Sequence, residues 1–157
     1  MEMPRKWDFY NLNVSIESLK VILGALITAD EPPTEVDLSA NQLNANCFSQ
    51  EGTIFVARYL STDPPVEVLD LGCTNTSNLG VEALMIGLEF NTHLRQLRLS
   101  NNSWITQEPM QRLYEAHKQR VPDFKLITHD PNVTVTVVET ESTEKDSSIL
   151  FKEKRCK

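Results

Sequence analysis

Aliphatic and polar residues alternate in three short blocks: Val36-Asp37-Leu38-Ser39-Ala40-Asn41, Leu69-Asp70-Leu71-Gly72-Cys73-Thr74 and Leu97-Arg98-Leu99-Ser100-Asn101-Asn102. A fainter fourth block is Val121-Pro122-Asp123-Phe124-Lys125-Leu126. Alternation of period two marks a strand with one buried face. Val66, Leu69 and Leu71 then point one way, as do Leu94, Leu97 and Leu99, while Glu67, Asp70, Arg95 and Arg98 face water. Between the blocks the period changes. Gly52 to Leu60 aligns with Gly80 to Leu88 at an offset of 28, so Val56 and Leu60 match Leu84 and Leu88, the i, i+4 spacing of a helix. Another helix is predicted near Pro109 to Lys118, with Met110, Leu113 and Tyr114 on its apolar side and the proline in its first turn. Upstream, Ile16, Leu19, Leu23, Leu26 and Ile27 form the stripe of a helix running from about Ile16 to Thr28. Ser15 is its expected N-cap, and Asp30-Glu31-Pro32-Pro33 ends it.

The blocks recur after 33, 28 and 27 residues, measured from Val36 to Leu69, Leu69 to Leu97 and Leu99 to Leu126. A period near 28 carrying L-x-x-L-x-L-x-x-N is the leucine-rich-repeat signature. Asn41 and Asn102 fall where the chain leaves the strand, and an amide there can satisfy loop backbone groups that no ladder reaches. Thr74 stands at that position in the middle repeat and can do only part of this. The stretch from Leu69 through Asn102 resembles leucine-rich repeats of the ribonuclease-inhibitor type, and is similar to the repeat lobes of tropomodulin-like actin regulators and NOD-like receptors. The resemblance covers about residues 34–128. It implies an α/β fold, a short solenoid with parallel strands on its concave side and helices on its convex side. It also implies a non-catalytic module that binds a protein partner through the strand face. No residues specific to actin or ribonuclease binding are present. The expected organisation is a segment with a capping helix over 1–33, the repeats over 34–128 and a largely flexible tail over 129–157.

Composition narrows the function classes. The net charge of −7 disfavours nucleic acid and anionic membrane surfaces as partners. The apolar run from Ile16 to Ile27 is interrupted by Glu17, Ser18 and Lys20, too short and polar for a membrane span. Cys47, Cys73 and Cys156 form no C-x-x-C pair. They are read as two half-buried thiols and a tail thiol, in a reducing, cytoplasmic compartment. Cys156, second from the end, is no prenylation site. The triplets at Asn13, Asn75, Asn101 and Asn132 would matter only in a secreted chain. His93, His117 and His129 are scattered, His117 at a helix end where its charge would suit the dipole. No glycine-rich phosphate loop exists, Gly52 and Gly80 being read as turn residues. Neither an enzyme, a small-molecule substrate nor a cofactor is expected.

The expected binding residues follow from the repeat. The position between the last two core residues of each strand reads Asp37, Asp70, Arg98 and Lys125, and an earlier position reads Glu67 then Arg95. The face is therefore expected to be acidic toward the N-terminal end and basic toward the C-terminal end. It is either a solvated surface with Asp70 paired to Arg98 or a bipolar docking surface. The first repeat carries five extra residues between strand and helix. Phe48 in that insertion either folds onto the core or decorates a binding rim, and Trp104 in the loop after the third strand poses the same choice. Beyond His129, 132–138 has strand propensity, 139–148 is polar, and Ile149-Leu150-Phe151 restores an apolar patch. This tail is unstructured or adds a strand to a partner. A structural subunit of a larger assembly, held by the solenoid ends and tail, is the other functional class the chain suits.

Overall fold

The computed structural model describes residues 3–46 and 48–128, together with two short strands at 136–137 and 149–151. The architecture is α/β. Strands β1 (Lys6–Asp8), β2 (Glu35–Asp37), β3 (Val68–Asp70), β4 (Gln96–Arg98) and β5 (Lys125–Thr128) pair in parallel, each with the next. Helices α1 (Ile16–Thr28), α2 (Glu51–Leu60), α3 (Asn78–Gly87) and α4 (Gln107–Lys118) connect them and pack in the same order. Two further strands, β6 (Thr136–Val137) and β7 (Ile149–Phe151), continue the sheet: β7 lies parallel to β5 and β6 antiparallel to β7. The rest of the expected tail, and Cys47, lie outside the described residues. The sheet begins one unit earlier than the sequence blocks suggest, because Lys6-Trp7-Asp8 pairs with Glu35-Val36-Asp37.

The core is one cluster. Val36, Leu69, Leu97 and Leu126 stand side by side in register on the inner face, next to the equally buried Leu38, Leu71 and Leu99. Leu19, Leu23 and Leu26 of α1, Val56 and Leu60 of α2, Val81 and Leu84 of α3, and Met110 and Leu113 of α4 close it from the helical side. Ser15 caps α1 by accepting from the Ser18 amide at 3.1 Å. Ile27, expected in the stripe, is exposed.

Asparagine side chains tie unit to unit. Asn41 accepts from the Val14 amide at 2.9 Å and donates to the carbonyls of Phe9 at 2.8 Å and Leu38 at 3.0 Å. Asn102 accepts from Thr74 and Thr76 and donates to Leu71 and Leu99. Thr74 reaches the Leu71 carbonyl at 2.8 Å and the Thr76 hydroxyl at 2.9 Å, both within its own unit. The inserted residues supply what it lacks: Asn44 donates to the Thr74 carbonyl at 2.9 Å, and Gln50 accepts from the Ser77 amide at 2.9 Å while donating to Asn75 at 3.0 Å. One residue before each of these bends the backbone is left-handed, at Asn11, Ala40, Cys73 and Asn101.

Three sequence expectations need correction. Gly52 and Gly80 lie in the first turns of α2 and α3 and have no positive φ. Their lack of a Cβ allows close packing instead, against the Leu43 backbone and against Gln50 and Thr76. Cys73 is disulfide-bonded and not a free thiol. Spacing along the chain does not reveal which residues a sheet brings side by side, and the inference of a reducing compartment loses that support. His117 is buried against Phe124, with ring centroids 4.6 Å apart, and its Nε2 donates to the Leu94 carbonyl at 2.8 Å. Burial, and then the nearby Arg120 charge, push its pKa below the usual 6.5, so it does not serve the helix dipole as a cation.

This histidine makes stability pH-dependent. A depressed folded pKa means that unfolding takes up a proton, so its contribution is complete above about pH 6.5 and is lost as pH falls through the folded value. Urea midpoints are expected to fall between about pH 7 and 5 in the natural chain and to fall less in His117→Gln, whose amide still donates but does not titrate. Equal slopes would assign the acid sensitivity elsewhere.

Candidate functional site

The strands are short, so each puts few side chains on the outer face of the sheet, away from the helices. One row reads Lys6, Glu35, Val68, Gln96 and Lys125, and the next reads Asp8, Asp37, Asp70, Arg98 and Ile127. Beyond them come Tyr10, Ser39, Gly72 and Ser100. Their alignment follows from the amides of Asn11, Ala40 and Cys73 donating to the carbonyls of Ser39, Gly72 and Ser100.

Three aspartates repeat one local geometry. Asp8 accepts from the Tyr10 amide at 2.9 Å, Asp37 from the Ser39 amide at 3.0 Å, and Asp70 from the Gly72 amide at 2.9 Å. Each carboxylate closes the turn that follows its strand, an Asx-turn, and its second oxygen stays available to cations. Ser39 Oγ adds a 2.5 Å bond to Asp37. The Lys6 ammonium lies 3.3 Å from both Asp8 and Asp37 and 3.8 Å from Glu35. Arg98 lies 3.6 Å from Asp70 and 4.0 Å from Glu35. With its amide oxygen turned toward the guanidinium, Gln96 accepts from Arg98 at 2.7 and 2.8 Å.

The titration behaviour follows this arrangement. Burial pushes the Asp70 carboxyl above its ordinary pKa. The Gly72 amide opposes the rise, Asp37 beside it adds to it, and Arg98 works against it. The Tyr10 amide, helped by Lys6, holds Asp8 below its ordinary value. Burial works against the Lys6 ammonium, yet Asp8 and Asp37 outweigh it and raise the lysine pKa.

The sequence-derived residues are brought together only in part. Asp37, Asp70 and Arg98 share a row, as expected. Lys125 does not: it pairs with Gln96, two residues out of the expected phase. Alternation fixes a period but not a phase, and Phe124-Lys125-Leu126 mimics Leu97-Arg98-Leu99. The true counterpart is Leu126-Ile127-Thr128, with the buried Thr128 where Leu99 sits one unit earlier. Glu67 and Arg95 are stacked through main-chain bonds, but the Arg95 side chain pairs with Asp123 at 2.6 Å. Lys6 adds a cation at the N-terminal end, so the acidic residues of β2 and β3 lie between Lys6 and Arg98 and do not form one pole of a gradient.

Both ambiguous aromatics are exposed, Phe48 at 84% and Trp104 at 59%. They lie, with the exposed Tyr10, in segments leaving the C-terminal ends of strands. Trp104 is pinned by a parallel bridge to Ser77. Lys6 and Asp8 are not found from the sequence because β1 is not, and Glu35 because it lies one residue before the first block; the signal is Lys6-Trp7-Asp8-Phe9, which alternates like Glu35-Val36-Asp37-Leu38 with aromatic residues in the aliphatic positions.

Among the described residues, no group of three or more His, Cys, Asp or Glu side chains is arranged to hold a metal ion, and no helix is long and apolar enough to cross a membrane. No family model matches the chain, and no curated protein matches it.

Proposed function

We propose that the chain is a leucine-rich-repeat solenoid of the ribonuclease-inhibitor type that binds another protein through its outer strand face and the adjoining loops, without catalysis. Parallel strands joined in sequence order and asparagine side chains linking successive units support the repeat reading. The observation that carries the binding reading is the pairing of a fixed, charged strand face with exposed aromatics on the loops at its edge, Trp104 above all. Charged side chains held by their own backbone give a partner register and orientation, while a large aromatic offers contact area at low entropic cost. The open face suits a protein better than a small molecule, which binds in concave, enclosed sites.

The test is comparative capture from the chain's own cells. Proteins retained by the natural chain are expected to be lost from Asp70→Arg, Arg98→Glu and Trp104→Ala, and kept by Ile86→Glu on the helical side. Identical sets from all four variants would refute the reading. A second reading, a subunit built into a larger assembly, is favoured by α3, where Leu79 and Ile86 are exposed at i and i+7 on one helix side, with the exposed Phe90 in the turn that follows. Aggregation of the chain unless other subunits are co-expressed would favour that reading, and cooperative melting of soluble chain the first.

A further inference from the structure

Among the described residues, β1 is the outermost strand at one end of the sheet. The amides of Phe9 and Asn11 donate toward β2, to Asp37 at 2.8 Å and Ser39 at 3.1 Å. Main-chain groups alternate sides along a strand, so those of Lys6 and Asp8 point away from β2, toward the open edge. Inside the stack two units reach back to their predecessors with an asparagine at one position, Asn41 to Phe9 and Val14, Asn102 to Leu71 and Thr74; the unit with Thr74 there is tied by Asn44 and Gln50 of the unit before it. In the first unit the same position, four residues beyond Asp8, is Leu12, an exposed aliphatic that can neither donate nor accept. A further unit stacked there would lack the asparagine tie that Asn41 and Asn102 make.

The residues on the edge indicate which. Lys6-Trp7-Asp8 carries opposite charges on either side of a central tryptophan. We propose that β1 pairs antiparallel with β1 of a second copy about a two-fold axis at Trp7, joining two sheets into one. Lys6 of each copy then stands opposite Asp8 of the other, and both pairs exchange their two main-chain hydrogen bonds. Opposite charges in directly facing positions favour this register, and like charges would disfavour it. The Trp7 residues form the intervening non-hydrogen-bonded pair, about 4.5 Å apart at Cα. Trp7 and Phe9 are only half-buried and meet edge to face, with ring centroids 6.4 Å apart, so pairing covers aromatic surface at the end of the core. Lys20 marks the side of α1 facing α2, through Glu51 and Phe55. The opposite side carries Ser18, Ile22 and Ala25, which set no charge against the second copy's α1. The match is isologous, the usual form of a homodimer.

Sedimentation equilibrium of the full chain tests this. The natural chain is expected to dimerise reversibly on concentration. Lys6→Glu, which sets two carboxylates face to face, is expected to weaken the dimer about tenfold or more, and Lys6→Glu with Asp8→Lys to restore it. Because Lys6 also serves Asp37 within its own chain, Lys6→Pro provides a second arm. It removes an edge amide that β2 does not use and is expected to abolish the dimer, whereas Lys6→Ala, which keeps the amide, is expected to retain it in part. A natural chain that is monomeric at several hundred micromolar overturns the proposal, as does a dimer that survives Lys6→Pro or a charge swap that fails to restore association.

Discussion

Alanine at position 102 is expected to remove about 3–5 kcal/mol of stability, or roughly 10 °C of melting midpoint. The Asn102 amide sits at the junction of two units, nearly buried, at 8% exposure. Its oxygen accepts from the Thr74 amide at 3.1 Å and the Thr76 amide at 3.0 Å. Its nitrogen donates to the carbonyls of Leu71 at 2.9 Å, Leu99 at 3.0 Å and Ser100 at 3.3 Å. Truncation leaves two buried amides without acceptors, each worth about 1–3 kcal/mol, while the carbonyls, with a second lone pair, suffer less. Asn102→Thr sharpens the test. Threonine already occupies the equivalent place at position 74, but there Asn44 and Gln50 of the insertion serve the neighbouring backbone. No such insertion follows β3, the strand of the preceding unit here, so threonine at 102 is expected to be nearly as damaging as alanine. Urea denaturation of the three chains decides it, and a loss below about 1 kcal/mol in Asn102→Ala would mean that the amide carries little of the junction.

The same junctions show which parts of the molecule the sequence exposes. Strands β2, β3 and β4 are legible because each puts two aliphatic residues inward with a charged one between, and the repeat confirms the phase. At both ends that redundancy fails. In β1 the inward residues are aromatic, Trp7 and Phe9, and in β5 the second is a buried threonine, Thr128. Hydrophobicity alone then either overlooks the strand or sets it two residues out of phase, which is how Lys125 came to be placed beside Arg98. The candidate face inherits the pattern. Asp37, Asp70 and Arg98 follow from the repeat, whereas Lys6 and Asp8 depend on knowing that a strand precedes the first block. The insertion misleads for a different reason. Its exposed member, Phe48, stands out by residue type, while its structural members, Asn44 and Gln50, are polar side chains whose burial depends on a backbone 25 to 30 residues away.

Glycines give the second large effect, and they separate two reasons for having no side chain. A Cβ on Gly87, at the end of α3, would fall 2.3 Å from the Ala57 carbonyl oxygen, 2.8 Å from its carbon and 2.9 Å from its Cα. All three are backbone atoms of α2, so no rotamer change relieves the contact, and α3 must move away from α2. That separation opens the interface that holds Val56, Leu60, Val81 and Leu84. Gly87→Ala is therefore expected to cost about 3 kcal/mol, and Gly52→Ala a similar amount, since its Cβ would meet the Leu43 carbonyl oxygen at 2.1 Å. Gly24, inside α1, has nothing within 4 Å of the same position. There the methyl group meets open space and restricts only the unfolded chain, so Gly24→Ala is expected to stabilise by about 0.5–1 kcal/mol. Helix propensity alone would make all three substitutions favourable. Opposite signs at positions 24 and 87, measured by chemical denaturation, therefore report the approach of α2 and α3 directly, and a stabilising Gly87→Ala would show that these helices do not pack at backbone contact.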